Sequence, residues 1–255
     1  MTRTQFASGT GFLLGTALLF GVWGLAVAGN PNEREVKPEA NVQDGDDITS
    51  PDSKVWVLDF KFKDPRVIKV DVPGRGQRVC WYLWYQVTNF TKQPRVFVPD
   101  FELVTRDKNL VHHDQILPKV QEAIARLEDP SDYLKIKNSV TIAIEPIPPS
   151  KPNAPRPVTG VAIWDDVDPD ANVYSIFVSG LSNGWAVTDP IPPSTKPVVR
   201  RKTLQLDFKR LGDPYLHRSD EVRFLRSEWI YRGSQIEVPG LPSAVSAPGK
   251  EAAPK

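Results

Sequence analysis

The chain has 255 residues, with 32 lysines and arginines against 31 aspartates and glutamates, and a single cysteine. The near-zero balance argues against nucleic acid as the main partner, because such binding draws on clustered neutralisation of phosphates. One cysteine, Cys80, rules out an internal disulfide, and the length allows one large domain or two small ones.

The first element in chain order is Phe12 to Ala28, an uncharged apolar run after a polar start that contains Arg3. It reads as an export signal, with Ala26-Val27-Ala28 as the small-x-small cleavage site. An uncleaved membrane anchor is the other reading, but Gly15, Thr16, Gly21 and Gly24 dilute the run, which falls short of the ~20 apolar residues of a spanning helix. Residues 1–28 are therefore expected to be a signal peptide or a membrane anchor. Removing them takes away only Arg3 and leaves 31 basic against 31 acidic residues.

Residues 29–53 hold Asn, Glu, Asp, Pro and Gly with hardly a large apolar side chain, so a disordered spacer is expected. A β-sandwich domain is expected over 54–232, with two subdomains, 54–145 and 157–232, as an alternative division. Its first strand comes from Trp56, Leu58, Phe60 and Phe62 at alternate positions, and Val67 to Val72 repeats that period. Arg78 to Thr88 is apolar on both faces: Val79, Trp81, Leu83, Tyr85 and Val87 on one, Cys80, Tyr82 and Trp84 on the other. A central strand covered on both sides is expected there, with Cys80 as a small buried hydrophobe.

Arg95 to Thr105 is predicted to run back, with a bulge or kink at Pro99-Asp100. Val120, Ile124 and Leu127 then fall at helical spacing between Pro118, suited to a first helical position, and Pro130. One short helix is thus predicted among strands. Ser139 to Ile144, Val158 to Trp164, Val173 to Leu181, Thr203 to Phe208 and Glu221 to Tyr231 are predicted as further strands. Two similar connectors, Pro146 to Pro152 and Pro190 to Pro197, suit extended crossings between sheets. The tail, 233–255, has the composition of a disordered segment.

Few side chains point to chemistry. His112-His113-Asp114 is the one run of adjacent ligand-type residues, with His217 elsewhere, but neighbouring strand residues face opposite ways and no metal or cofactor site is expected. Asp165 to Asn172 is the densest acidic stretch, yet it lacks the central glycine of a calcium loop and reads as an Asp-rich turn. The basic clusters Arg200-Arg201-Lys202 and Lys209-Arg210 read as solvated strand faces. Of six tryptophans after the leader, Trp185 follows Asn183-Gly184, a strong hairpin signal, and is expected beside a tight turn. No nucleophile elbow, zinc-protease motif or glycine-rich phosphate loop is present.

Trp81 to Asn89, Thr91 to Pro94 and Phe97 to Asp107 together resemble a strand-turn-strand of the immunoglobulin-like, telokin-like accessory domains of exported bacterial proteins. In that group a strand ending in Val-x-Asn is followed by a polar turn with Pro and a return strand with Asp-Phe-x-Leu. The resemblance covers about 30 residues; Tyr82, Trp84, the helix from Pro118 and the second half depart from it. It implies an extracytoplasmic sandwich without an active site and carries over no functional residue.

The expectation is a mainly β, antiparallel immunoglobulin-like sandwich with one inserted helix, exported or membrane-anchored and non-catalytic. Its expected partner is a protein or envelope component, or the membrane through an uncleaved 12–28 segment. Carbohydrate or small-ligand binding through exposed aromatics is the alternative, and a glycoside hydrolase-like enzyme with two distant carboxylates is third.

Overall fold

The structure is a computed structural model, which describes residues 33–36, 55–168, 171–188, 198–211 and 222–233. The segment 1–28 expected as a signal or anchor, the rest of the expected spacer apart from 33–36, the tail beyond 233, the second proline connector and His217 lie outside the described residues. Among the described residues the chain is mainly β, with eleven strands in two antiparallel sheets and one α-helix. No described helix is long and apolar enough to cross a membrane.

The first sheet is built around β4 (Gly76–Thr88). Both β2 (Asp59–Lys63) and β3 (Arg66–Val72) pair along one edge of β4, end to end, while β7 (Val158–Trp164) pairs along the other. The second sheet runs β11 (Val222–Gly233), β10 (Val198–Arg210), β8 (Val173–Ser179), β5 (Asp100–Thr105), β6 (Leu110–His113), with β9 (Trp185–Thr188) sharing the β8 edge of β10. Because β7 joins β4 and β8 joins β5, strands from 54–145 and 157–232 interleave in both sheets.

The doubly apolar pattern of β4 works as expected, and each face has a different cover. Trp81, Leu83, Tyr85 and Val87 face the main core with Phe60, Phe62, Phe101, Ile176, Leu204 and Phe208 from both sheets. Ring contacts span the layers, with Tyr85 4.8 Å from Phe101, Trp81 5.3 Å from Tyr174 and Phe62 6.0 Å from Phe208 between centroids. Burying each such ring is worth roughly 1.5–3 kcal/mol, so this aromatic layer is the main attraction between the sheets. Cys80, Tyr82 and Trp84 face outward into a second core, closed by Val120 and Ile124 of α1 (Pro118–Glu128).

The helix has the predicted bounds, with Pro118 at its start. Its end is set by Asp129, whose carboxylate accepts from the backbone N–H groups of Tyr133 (3.0 Å) and Leu134 (2.6 Å). Leu127, expected on the apolar stripe, is instead 59% exposed, because the sheet surface beneath the helix reaches only Val120 and Ile124. At the same end Glu128 turns inward, where Lys63 (2.9 Å), Arg66 (2.8 Å) and Tyr82 (2.8 Å) all donate to its carboxylate.

Four expectations need correction. Residues 33–36 of the expected spacer form a strand, β1 (Glu33–Val36), paired antiparallel with β2. Its charged side chains do what apolar ones could not: Arg34 donates twice to Asp64 (2.8 and 3.0 Å), Glu33 pairs with Lys61, and the Arg34 guanidinium lies 4.9 Å from the Phe224 ring centre. The run from Arg95 is not one strand, since only β5 after Pro99 joins the sheet. Arg95 instead exchanges backbone hydrogen bonds with Ile147 of the first proline connector (3.1 and 2.8 Å). Buried Asn89 shapes the arch before it, donating to the carbonyls of Gln93 (2.8 Å) and Ile147 (2.9 Å). That arch carries the chain from one sheet to the other, so β4 and β5 are not a hairpin.

Ser139 to Ile144, predicted as a strand, holds a 3₁₀ turn (Thr141–Ala143). Asn138 overrides the β-branched propensity, because its side-chain oxygen accepts from the N–H groups of Val140 (3.0 Å) and Thr141 (2.8 Å). Asn183-Gly184 closes no hairpin either. Neither residue has the positive φ that a type I′ turn requires, and β8 and β9 pair in succession with the same edge of β10. The positive φ is at Gly180 (+89°), where a Cβ would lie 2.1 Å from the Val98 carbonyl oxygen. Asn183 serves instead as an acceptor for the Trp56 N–H at 2.7 Å.

Candidate functional site

The hairpin of β5 and β6 places two adjacent histidines on opposite faces. Its register sets Leu103 opposite His112 and Glu102 opposite His113, and opposed residues in an antiparallel pair share a face. Leu103 is fully buried, so His112 points to the core side, where its Nδ1 lies 3.1 Å from an Asp166 carboxylate oxygen. His113 therefore stands exposed on the outer face with Glu102 and, two residues along the strand, Asp100.

A carboxylate oxygen from each of Asp100 and Glu102 and a ring nitrogen of His113 all lie within 4.8 Å of one another. Arg232 of β11 reaches this group and pairs with one oxygen of Glu102, its guanidinium lying 4.0 Å from the ring centre of Phe177, which stands beside Glu102 in β8. Burial, reinforced by the Glu102 charge, raises the Asp100 carboxyl above its ordinary value, against the pull of His113, Arg232 and Arg201. Asp114 next along the chain is raised too, by burial first and then by Asp100, although the Ser139 hydroxyl donates to it. The site is thus an acid-rich patch on the outer face of the sheet with one imidazole, approached by arginine.

Sequence reading missed this group. It weighed His113 only with its chain neighbours, and β6 was not among the predicted strands. The available signal was Asp100-x-Glu102 on one strand, followed by a polar turn at Asp107 to Asn109, where Asn109 takes a left-handed φ of 52°. A hairpin drawn through that turn would have set His113 against Glu102.

The other flagged residues are dispersed. In the acidic stretch Asp165 pairs with Arg75 (2.8 Å), Asp166 faces His112 (3.1 Å), and Asp168 meets Lys108. These carboxylates face three different partners, as turn residues do. In the basic clusters Lys209 is exposed and Arg200 and Arg201 are partly exposed, but two members depart from the expected solvated face. Lys202 and Arg210 are buried on the core side of β10, where they approach the rings of Trp229 (5.3 Å) and Trp81 (5.8 Å). Trp81, Trp84 and Trp164 are buried, whereas Trp56, Trp185 and Trp229 are partly exposed. Cys80 is fully buried, and burial, with Asp165 adding to it, pushes its thiol up to about 11.

No protein-family model matches the chain, and no curated protein or solved structure matches it either.

Proposed function

We propose that the chain is an exported protein of the cell envelope whose immunoglobulin-like sandwich serves as a non-catalytic interaction or structural module. The observation that carries this reading is where the reactive side chains go. Glu128, Asp165, Asp168 and Asp207 each meet a basic partner that ties one element to another, and the one thiol lies inside the second core. Such groups hold the layers in register rather than wait for a substrate. The long arch at Asn89, which passes the chain from sheet to sheet, supports the immunoglobulin-like kinship, and the run from Phe12 to Ala28 supports export.

Expression of the full chain in a bacterial host, followed by fractionation and intact-mass measurement, tests the reading. A product beginning at Gly29 outside the cytoplasm, or a full-length product in the membrane fraction, supports it; an unprocessed chain in the cytosol overturns it. Carbohydrate binding is the second reading, favoured by partly exposed Trp185 on β9. Glycan retention lost in Trp185→Ala would select it over the first.

A further inference from the structure

We propose that Asp100, Glu102 and His113 form a binding site for a divalent transition-metal ion of the zinc class, which clips the β5–β6 edge of the second sheet. The donor set is mixed: two carboxylates and one imidazole suit zinc and its first-row neighbours better than magnesium or calcium, which prefer oxygen alone. Placement is set by the backbone, because Glu102 and His113 are cross-strand partners and Asp100 shares their face. Zinc holds its nitrogen and oxygen ligands at about 2.0–2.2 Å, which puts neighbouring donors roughly 3.5 Å apart. The three donors, all within 4.8 Å of one another, need only side-chain rotation to close on one ion.

A second feature points the same way. Among the described residues, no hydrogen bond or ion pair joins these three groups to each other, although they converge. Two carboxylates facing the same side repel; the charges of Arg232 and Arg201 are felt at Asp100, but the one direct ion pair that either makes with the group is Arg232 with a single oxygen of Glu102. A cation held between Asp100 and His113 would complete the balance, and the exposure of His113 leaves a coordination position to solvent. The ion would tie β6, an edge strand of four residues, to β5, its only strand partner among the described residues. This proposal stands apart from export, and does not depend on it.

The test is calorimetric titration of the metal-stripped full chain with zinc, together with the visible absorption of a cobalt-loaded sample. One ion per chain is expected, with affinity lowered about tenfold or more in His113→Ala and in Asp100→Asn, and unchanged in Asp168→Asn of the acidic turn. Both His113 and Asp100 lie at the surface side of the sheet, and thermal melts of each metal-free variant check that it folds. Absence of stoichiometric zinc binding overturns the proposal. So does binding that survives both substitutions.

Discussion

Gly160→Ala should be among the most damaging single-methyl changes in this protein. Gly160 lies in β7 directly opposite Tyr85 of β4, and the Tyr85 ring crosses over it. A Cβ at that position would lie 2.4 Å from Tyr85 Cζ, 2.5 Å from its hydroxyl oxygen and 2.7 Å from Cε2, against an ordinary carbon contact of about 3.5–4.0 Å. The ring must therefore move by about 1 Å. It has no room to do so, because Phe101 (4.8 Å), Phe60 (5.5 Å) and Phe97 (6.3 Å) surround it and all are fully buried. Overpacking of a close-packed core costs roughly 1–3 kcal/mol, and so rigid a neighbour places this case near about 3 kcal/mol. For a domain of this size that is a fall in Tm of about 10 °C. Urea denaturation and thermal melts measure it. A double-mutant cycle isolates the cause: in a Tyr85→Leu background, itself destabilised by the lost ring, Gly160→Ala should cost less than about 1 kcal/mol. A cost within about 0.5 kcal/mol of zero in the wild-type background, or strict additivity in the cycle, would refute the steric reasoning.

Three further outcomes are expected. Glu128→Gln strands Lys63 and Arg66 beside a carboxylate site whose side chain is only 3% exposed, and should cost about 3 kcal/mol at neutral pH in denaturant titration. Acid should destabilise the fold through Glu128 and Asp207. Burial alone would raise both carboxyls, but hydrogen bonds from Lys63 and Tyr82 to Glu128, and from Ser175, Arg226 and Gln205 to Asp207, outweigh it and hold both below their ordinary values of 4.5 and 3.8. A depressed folded value contributes stability above the unfolded one and loses it as pH falls through the folded one, so stability should drop below about pH 4.5, with a shallower drop in Asp207→Asn. An unchanged acid limb in that variant would remove Asp207 from the account. Cys80, raised to about 11 by burial and then by Asp165, should resist iodoacetamide at about pH 8 in the native protein and take one adduct in guanidinium, read by mass spectrometry. Native-state alkylation at the unfolded rate would contradict its place in the second core.

Much of the body was legible because its signals are local. The period of two in β2 and β3 and the proline-bounded helical spacing of α1 survive folding, since each element buries the face its own residues define. The doubly apolar run of β4 announced a layer on each side before either layer was known. Errors arose where a polar side chain competed with propensity. Asn138 turned a β-branched run into a 3₁₀ turn, and Asn183 was spent on Trp56 instead of a tight turn. In β1 the error ran the other way, because salt bridges to Lys61 and Asp64 anchor a strand that hydrophobic pattern alone rejects.

The candidate site belongs to the second class. Asp100, Glu102 and His113 span fourteen positions of sequence, and only the register of β5 with β6 sets them on one face, while the same register sends His112 to the other. The sequence by itself determined the apolar run from Phe12 to Ala28, the near-neutral charge, the strand-rich composition and the place of the one described α-helix, because these depend on neighbours within a few residues. Strand order, the arch from β4 to β5, the ion pairs of Glu128 and the convergence of two acids on one histidine were decided by tertiary structure. They depend on pairings between distant segments, whose free energy comes from the shared aromatic core and not from any one segment.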